Sequence, residues 1–315
     1  MTVEALWCIS PGEAMVQPGA EGEGVLVEML YSGISRGTER LVLEGRVPED
    51  QYARMRGPAQ EGDFPFPVKY GYCAVGRVAE GAMKGQTVFA LHPHQTRFRM
   101  AEAALTPLPQ DLPPERAILS ANMETALNVL WDSGAGAGDA IVIIGAGVVG
   151  ALTGYLAAIL PGTEVTLVDI NADRARLADH LGCAFAVPDA CPVDADVVVH
   201  VSASAAGLET AINAAGDEAT VVEASWHGAT PTPAPLGGAF HSRRLKLVSS
   251  QVGNLPASRR PRWDYARRMD KALELLCDPR LDILISGETS FEQLPAHYGA
   301  ILNDPATLCH RVRYQ

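Results

Sequence analysis

Residues 141–150, IVIIGAGVVG, constrain this chain more than any other stretch. The β-branched apolar run Ile141–Val142–Ile143–Ile144 suits a strand buried on both faces. It leads into Gly145, Gly147 and Gly150, spaced G-x-G-x-x-G, and then into a helix-like stretch from Val148 to Leu160. A second apolar strand, Val165 to Val168, ends beside Asp169, 24 positions after Gly145. Strand, glycine turn, helix, strand and acid in this order describe a dinucleotide site. Gly145 permits the tight turn, Gly147 lets the backbone approach a pyrophosphate, and Gly150 lets the helix lie close to the strand. The first-turn amides of Val148 and Val149, with the positive end of the helix dipole, would face the phosphates. Asp169 would accept from ribose hydroxyls and repel a 2′-phosphate. NAD(H) is therefore expected over NADP(H), with Arg174 the nearby cation that would soften the preference.

Residues 141–160 carry no charge, and twenty such residues are long enough to cross a bilayer. Four glycines interrupt them, no aromatic or basic flank frames them, and mean hydropathy over the chain is only +0.05. They read instead as a buried strand and helix of a soluble α/β domain.

At 315 residues, two domains are the natural expectation. Residues 1–120 read as mostly β, with strands at Val3–Ile9, Gly24–Tyr31, Ala74–Ala79 and Gln86–Leu91 between turn-rich pieces. From about residue 121 helices and strands alternate. A helix spans Asn122–Trp131, and strands after Asp169 fall at Val197–Val201, Thr220–Ala224 and Leu245–Ser250. Strands joined through helices imply a doubly wound parallel sheet over 121–253. The tail, 254–315, holds a helix from Trp263 to Cys277, a short strand near Ile283, a helix from Leu294 to Leu302 and a last strand, Leu308–Tyr314. It is expected to return to the front, so that 1–120 and 254–315 form one β-rich domain into which 121–253 is inserted, with ligands in a cleft between the two.

A net charge of −12 argues against nucleic-acid or anionic-membrane binding, which both need cationic surface. The opening MTVEALWCIS lacks the basic and apolar regions of a signal peptide. Six scattered cysteines without a CxxC pair read as thiols in a reducing cytoplasm. Between Arg243 and Lys271, nine basic residues face only Asp264 and Asp270. This segment is either a solvated face or a patch for an anionic substrate or partner.

YSGISRGTE (Tyr31–Glu39), PVKYGYCAVGRV (Pro67–Val78), the GAGVVG loop and the tail LDILISGETSFEQLPAHYGAIL together resemble the medium-chain dehydrogenase/reductase superfamily. SGISRGTERLVLEGRVP is similar to its bacteriochlorophyllide dehydrogenase-like branch. The resemblance implies a Rossmann domain set into a GroES-like catalytic domain, hydride transfer to or from NAD(H), and a homodimer formed through the edge strand near Leu245. In zinc-dependent relatives the first motif carries a cysteine ligand, the second reads G-H-E, and a third ligand follows. The matching positions here are Ser35, Gly71-Tyr72-Cys73 and the neighbourhood of Ala121. Serine, tyrosine and alanine do not replace thiolate and imidazole as zinc ligands, and the four cysteines of a structural zinc lobe are missing. A metal drawn instead from Cys73, His92 and His94 would need an unusual spacing across Pro93. No zinc and no other metal is expected.

Reduction of a carbonyl leaves negative charge on oxygen, which needs a proton or hydrogen-bond donors. Tyr72 is the first candidate, Ser35 and Thr38 are candidate donors, His94 is a candidate proton donor or substrate contact, and Glu39 and Glu124 are candidate relays. Each also has a structural reading: Tyr72 as a packed ring, Thr38 and Glu39 as the start of a helix, His94 as a polar residue at a strand end, Glu124 as a satisfied carboxylate. Ser202 and Ser204 in HVSASAAGL, and Val252 in SQVG, match positions flanking the nicotinamide in the superfamily. Trp226 and His227 border the ring or substrate, or else pack in a crossover. The leading expectation is a zinc-independent oxidoreductase acting on an alcohol/carbonyl pair. Reduction of an activated C=C bond, and a non-catalytic NAD(H)-binding sensor, are the alternatives.

Overall fold

The computed structural model describes residues 2–314. The chain divides into two units, one formed by Met1–Ala121 with Met269–Gln315, the other by Asn122–Arg268.

The second unit contains a six-stranded sheet in which every neighbouring pair is parallel. Its order is Ala184–Ala186, Glu164–Val168, Ala140–Ile144, Ala195–His200, Ala215–Glu223 and Lys246–Ser249. The order reverses direction beside Ala140–Ile144, the position at which doubly wound sheets bind dinucleotides. Alternation along the strands supplies both cores. Val142, Ile144, Val198 and Val221 pack with the helix Ala205–Ala214 on one face. Ile141, Ile143, Leu167, Val199 and Val222 pack on the other. The uncharged run thus splits into the strand Ala140–Ile144 and the helix Val148–Ala158. Among the described residues no helix is long and apolar enough to cross a membrane. Lys246–Ser249 forms an edge of the sheet, with Leu247 exposed.

This unit runs to Arg268, beyond the boundary at 253 expected from sequence. The cut falls inside the helix Tyr265–Leu275, where Arg268 faces this unit. Arg268 belongs to the basic segment yet is buried, donating to Glu124 Oε1 at 3.0 Å, Asn128 Oδ1 at 2.6 Å and the Val252 carbonyl at 2.6 Å. Other members of the segment also have structural work. Arg243 donates to the Ala215 carbonyl at 2.6 Å, and the guanidinium groups of Arg259 and Arg267 lie over the rings of Trp131 and Trp263.

The first unit is built around the long strand Val25–Ser35. It pairs antiparallel with Ala74–Val78, Arg97–Met100 and the C-terminal strand Cys309–Arg313. The tail therefore returns to the front of the chain. A second tie is Arg116, whose guanidinium donates to both carboxylate oxygens of Asp282, at 2.7 and 2.8 Å. The short strand expected near Ile283 is displaced. Pro279 opens a 3₁₀ turn over Pro279–Leu284, capped by the Asp278 carboxylate accepting from Arg280 N–H, and the strand follows at Ile285–Ser290. Val27, Met29, Val78, Val88 and Phe98 fill the core beneath Val25–Ser35, whose last residue, Ser35, leads straight into the helix Arg36–Leu43.

Candidate functional site

In the nucleotide unit the glycine turn has the geometry its residues suggest. Gly145 has φ +109°, a conformation that L side chains rarely adopt. A Cβ on Gly150 would stand 1.9 Å from the Gly145 carbonyl oxygen, so helix and turn meet only because that side chain is absent. At Gly147 the same construction meets nothing within 4 Å. Gly147 is the N-cap of the helix and offers no side chain to its first turn, where Val148 and Val149 lie. The open side of this turn is where a pyrophosphate would meet backbone N–H groups.

Asp169 is half-buried at the end of the neighbouring strand. Its Oδ2 accepts from Ala146 N–H at 2.7 Å and its Oδ1 from Asn171 N–H at 2.8 Å. These bonds lash the carboxylate to the glycine turn, and each oxygen keeps further acceptor capacity for a ribose. Ile170, beside it, is 88% exposed, an apolar surface next to the acid. Ser202 lies against the turn: a Cβ on Gly145 would come 2.9 Å from its backbone N. Ser204 caps the helix Ala205–Ala214 by accepting from Gly207 N–H. Val252 gives its carbonyl to Arg268. Glu124 also belongs to this unit, in an ion pair with Arg268; burial raises its pKa while the guanidinium pulls it down.

In the other unit, three of the sequence candidates meet. The Tyr72 hydroxyl shares side-chain hydrogen bonds with Ser35 and Thr38. Burial, then Cys73 and Tyr70, push its pKa well above that of a free phenol, and the two hydroxyl partners only partly offset this. Tyr72 therefore stays protonated at neutral pH. Directly behind it, the Cys73 thiol is held by burial far above the usual thiol range and touches the backbone of Ala121. Ser35, Tyr72, Cys73 and Ala121, the positions that the superfamily resemblance sets against zinc ligands, thus present hydroxyls, one buried thiol and an alanine. That donor set does not suit Zn²⁺, which takes thiolate, imidazole or carboxylate.

Beneath this cluster lies a buried polar network centred on Glu39, which is fully buried. Its Oε1 accepts from Ser35 N–H at 2.7 Å, and its Oε2 accepts from Tyr298 O–H at 2.7 Å and meets His94 Nε2 at 3.0 Å. His94 Nδ1 is 2.7 Å from Ser32 Oγ, which in turn is 2.9 Å from the Tyr314 hydroxyl. Both ring nitrogens of His94 are thus committed inside the protein. His92 is separate, stacked on Phe98 with ring centroids 3.9 Å apart. Burial depresses its pKa to about 3, so it is a neutral packing residue. Among the described residues, Cys73, His92 and His94 do not form a metal-ligand group; the group that does form is His200, Glu223 and His227 in the nucleotide unit.

The sequence reading contained Tyr72, Ser35, Thr38, Glu39 and His94 but not Ser32, Tyr298 or Tyr314. Tyr298 reaches Glu39 across 259 positions, and no local pattern marks it.

No family model matches the chain. It is 25% identical over 250 residues to an uncharacterized zinc-type alcohol dehydrogenase-like protein of Haemophilus influenzae, covering 74% of this chain and 68% of that protein. Its fold matches L-idonate 5-dehydrogenase of Escherichia coli with a TM-score of 0.79 at 14% identity, over 100% of this chain and 99% of that one. It matches 2R,3R-butanediol dehydrogenase of Bacillus subtilis with a TM-score of 0.77 at 16% identity, over the whole of both chains. Other solved structures with this fold hold NADP or NADH.

Proposed function

We propose that this chain, a member of the medium-chain dehydrogenase/reductase superfamily by fold and sequence similarity, is an NAD(H)-dependent oxidoreductase that interconverts an alcohol and a carbonyl without zinc. One observation carries the reading: the Tyr72 hydroxyl bonds to Ser35 and Thr38, and the superfamily resemblance sets Ser35 and Tyr72 against zinc-ligand positions.

Gly147, Val148 and Val149 would hold the pyrophosphate, and Asp169 the adenosine ribose. Bound NAD(H) supplies or accepts the hydride. The chain's own residues handle the proton and the charge on oxygen. Tyr72, protonated and held by Ser35 and Thr38, donates to the substrate oxygen as negative charge develops there. Ser35 is fixed in turn by its backbone bond to Glu39, so the buried network sets where the Tyr72 hydroxyl can sit. The carboxylate of Asp169, free of charge-bearing partners in its two backbone bonds, supports NAD(H) over NADP(H).

A screen of hydroxyl, carbonyl and enone substrates with NADH, run with and without a chelator, tests the proposal. Turnover of an alcohol/carbonyl pair that survives chelation is expected. Turnover lost on chelation and restored by zinc, and still so in a His227→Ala chain, would overturn the zinc-free chemistry. Turnover of enones alone would move the chain to C=C reduction, and tight NADH binding without turnover would make it a sensor.

A further inference from the structure

Three side chains of metal-binding type, His200, Glu223 and His227, converge in the nucleotide unit. His200 and Glu223 end the neighbouring parallel strands Ala195–His200 and Ala215–Glu223, and they face each other in register. His227 follows four residues after Glu223. His200 Nδ1 lies 2.6 Å from Glu223 Oε2, and His227 Nε2 lies 3.4 Å from the same oxygen. The three donor atoms are within 4.8 Å of one another. Donors about 2.0–2.2 Å from a tetrahedral cation stand roughly 3.3–3.6 Å apart, so the Glu223–His227 pair is already at that spacing and the His200–Glu223 pair would open by about 1 Å on binding.

The surroundings prepare these atoms as ligands. His200 is fully buried, and its Nε2 is 2.7 Å from Ser202 Oγ. Ser202 Oγ is 2.9 Å from Ser204 Oγ, which accepts from Gly207 N–H. When Nε2–H donates into this chain, the imidazole lone pair is left on Nδ1, the atom that faces Glu223. A ligating histidine whose other nitrogen is held this way is the usual construction of a metal site. A Cβ on Gly207 would come 2.1 Å from Ser202 Oγ and 2.7 Å from His200 Nε2, so the glycine keeps room for the arrangement. Glu223 Oε1 accepts from Ser225 N–H at 2.8 Å, which leaves Oε2 to the histidines. His227 Nε2 is buried and makes no hydrogen bond. A proton on His200 would satisfy the contact with Glu223 but would leave this nitrogen unpaired. A cation satisfies all three atoms at once.

We propose that His200, Glu223 and His227 bind one first-row divalent cation, with Zn²⁺ the best match. Two imidazoles and a carboxylate favour such ions over Mg²⁺ or Ca²⁺, and three protein ligands leave a fourth position for water or another donor. The site does not depend on the oxidoreductase reading.

The test uses the full chain stripped with a chelator and titrated with Co²⁺, followed by visible absorption and by competition with Zn²⁺. One equivalent per chain is expected, displaced by Zn²⁺ and not by Mg²⁺. His227→Ala and Glu223→Gln should weaken binding by at least tenfold. Ser202→Ala, which removes only the partner of His200, should weaken it about tenfold. His241→Ala, a change at an exposed histidine, should leave it unchanged. Circular dichroism checks that each variant folds. If Glu223→Gln does not fold, His227→Ala decides, because its side chain sits on a loop and is 17% exposed. Absence of Co²⁺ binding by the unsubstituted chain, or undiminished binding by His227→Ala, would overturn the proposal.

Discussion

The glycine turn and the Glu39 network are both polar, both central to the proposed chemistry, and built in opposite ways. The turn is made from residues close in sequence, and its key property is space: Gly150 removes a side chain that would collide, and Gly147 leaves one side open. The Glu39 network is made from residues 4, 55 and 259 positions away, and its key property is satisfaction of a buried carboxylate. Changes in the turn should therefore separate binding from folding, whereas changes in the network should couple them.

The sharpest break is within the turn itself. Gly150→Val forces a side chain into the Gly145 carbonyl and should destabilise the fold by more than ~4 kcal/mol. Gly147→Val has an extended backbone that any residue adopts and open space before it. It should keep its melting temperature while NADH affinity, read by fluorescence titration, falls by about 100-fold, or ~2.7 kcal/mol. Equal loss of stability in both variants would erase the distinction. In the network, Glu39→Ala strands His94 and Tyr298 without their shared acceptor and should cost ~3–5 kcal/mol in denaturant unfolding. Tyr298→Phe should cost about 1.5–3 kcal/mol.

His92 extends the comparison to pH. Its folded-state pKa of about 3 lies below the ordinary imidazole value of 6.5. The unfolded chain thus takes up a proton below about pH 6.5 that the folded chain refuses. Stability is present above that pH and is lost as pH falls toward 3, by an amount on the order of 4 kcal/mol. His92→Phe, measured by urea unfolding from pH 7 to pH 4, should flatten this part of the acid limb. An unchanged slope would show that His92 does not govern it.

Smaller effects concern catalysis and cofactor choice. Tyr72→Phe should lower kcat roughly tenfold or more with NADH binding intact, since the hydroxyl acts on the substrate oxygen. Asp169→Ser should narrow the preference for NADH over NADPH by about tenfold, measured as the ratio of the two dissociation constants. A variant at Tyr72 that also lost NADH affinity would mean that the two regions are not separable.

The same contrast explains what could be read in the sequence. Glycine spacing, strand alternation and the acid after the second strand are local signals, and they led to Asp169 and to five of the six strands of the parallel sheet, the short Ala184–Ala186 being missed. Ser35, Tyr72 and Thr38 were legible through motif resemblance, though their mutual contact was not. Tyr298, Ser32 and Tyr314 were illegible because their roles exist only once distant segments pack. Arg268 was misleading for a physical reason: in a run of nine basic residues it looks like solvent-facing charge, yet it is 2% exposed and pairs with Glu124. His200 opens the stretch HVSASAAGL, but its pairing with Glu223 is set by strand register and has no local signal.

The clasp between Glu124 and Arg268 joins residues two positions after the start of the nucleotide unit and at its very end. A unit whose entrance and exit touch is topologically a closed loop. It can be lifted out of its host, inserted into a surface turn of another protein, or cut open elsewhere and rejoined here by a short linker, with little change in the entropy of its unfolded chain. The buried guanidinium is thus what holds the two ends of the nucleotide unit together.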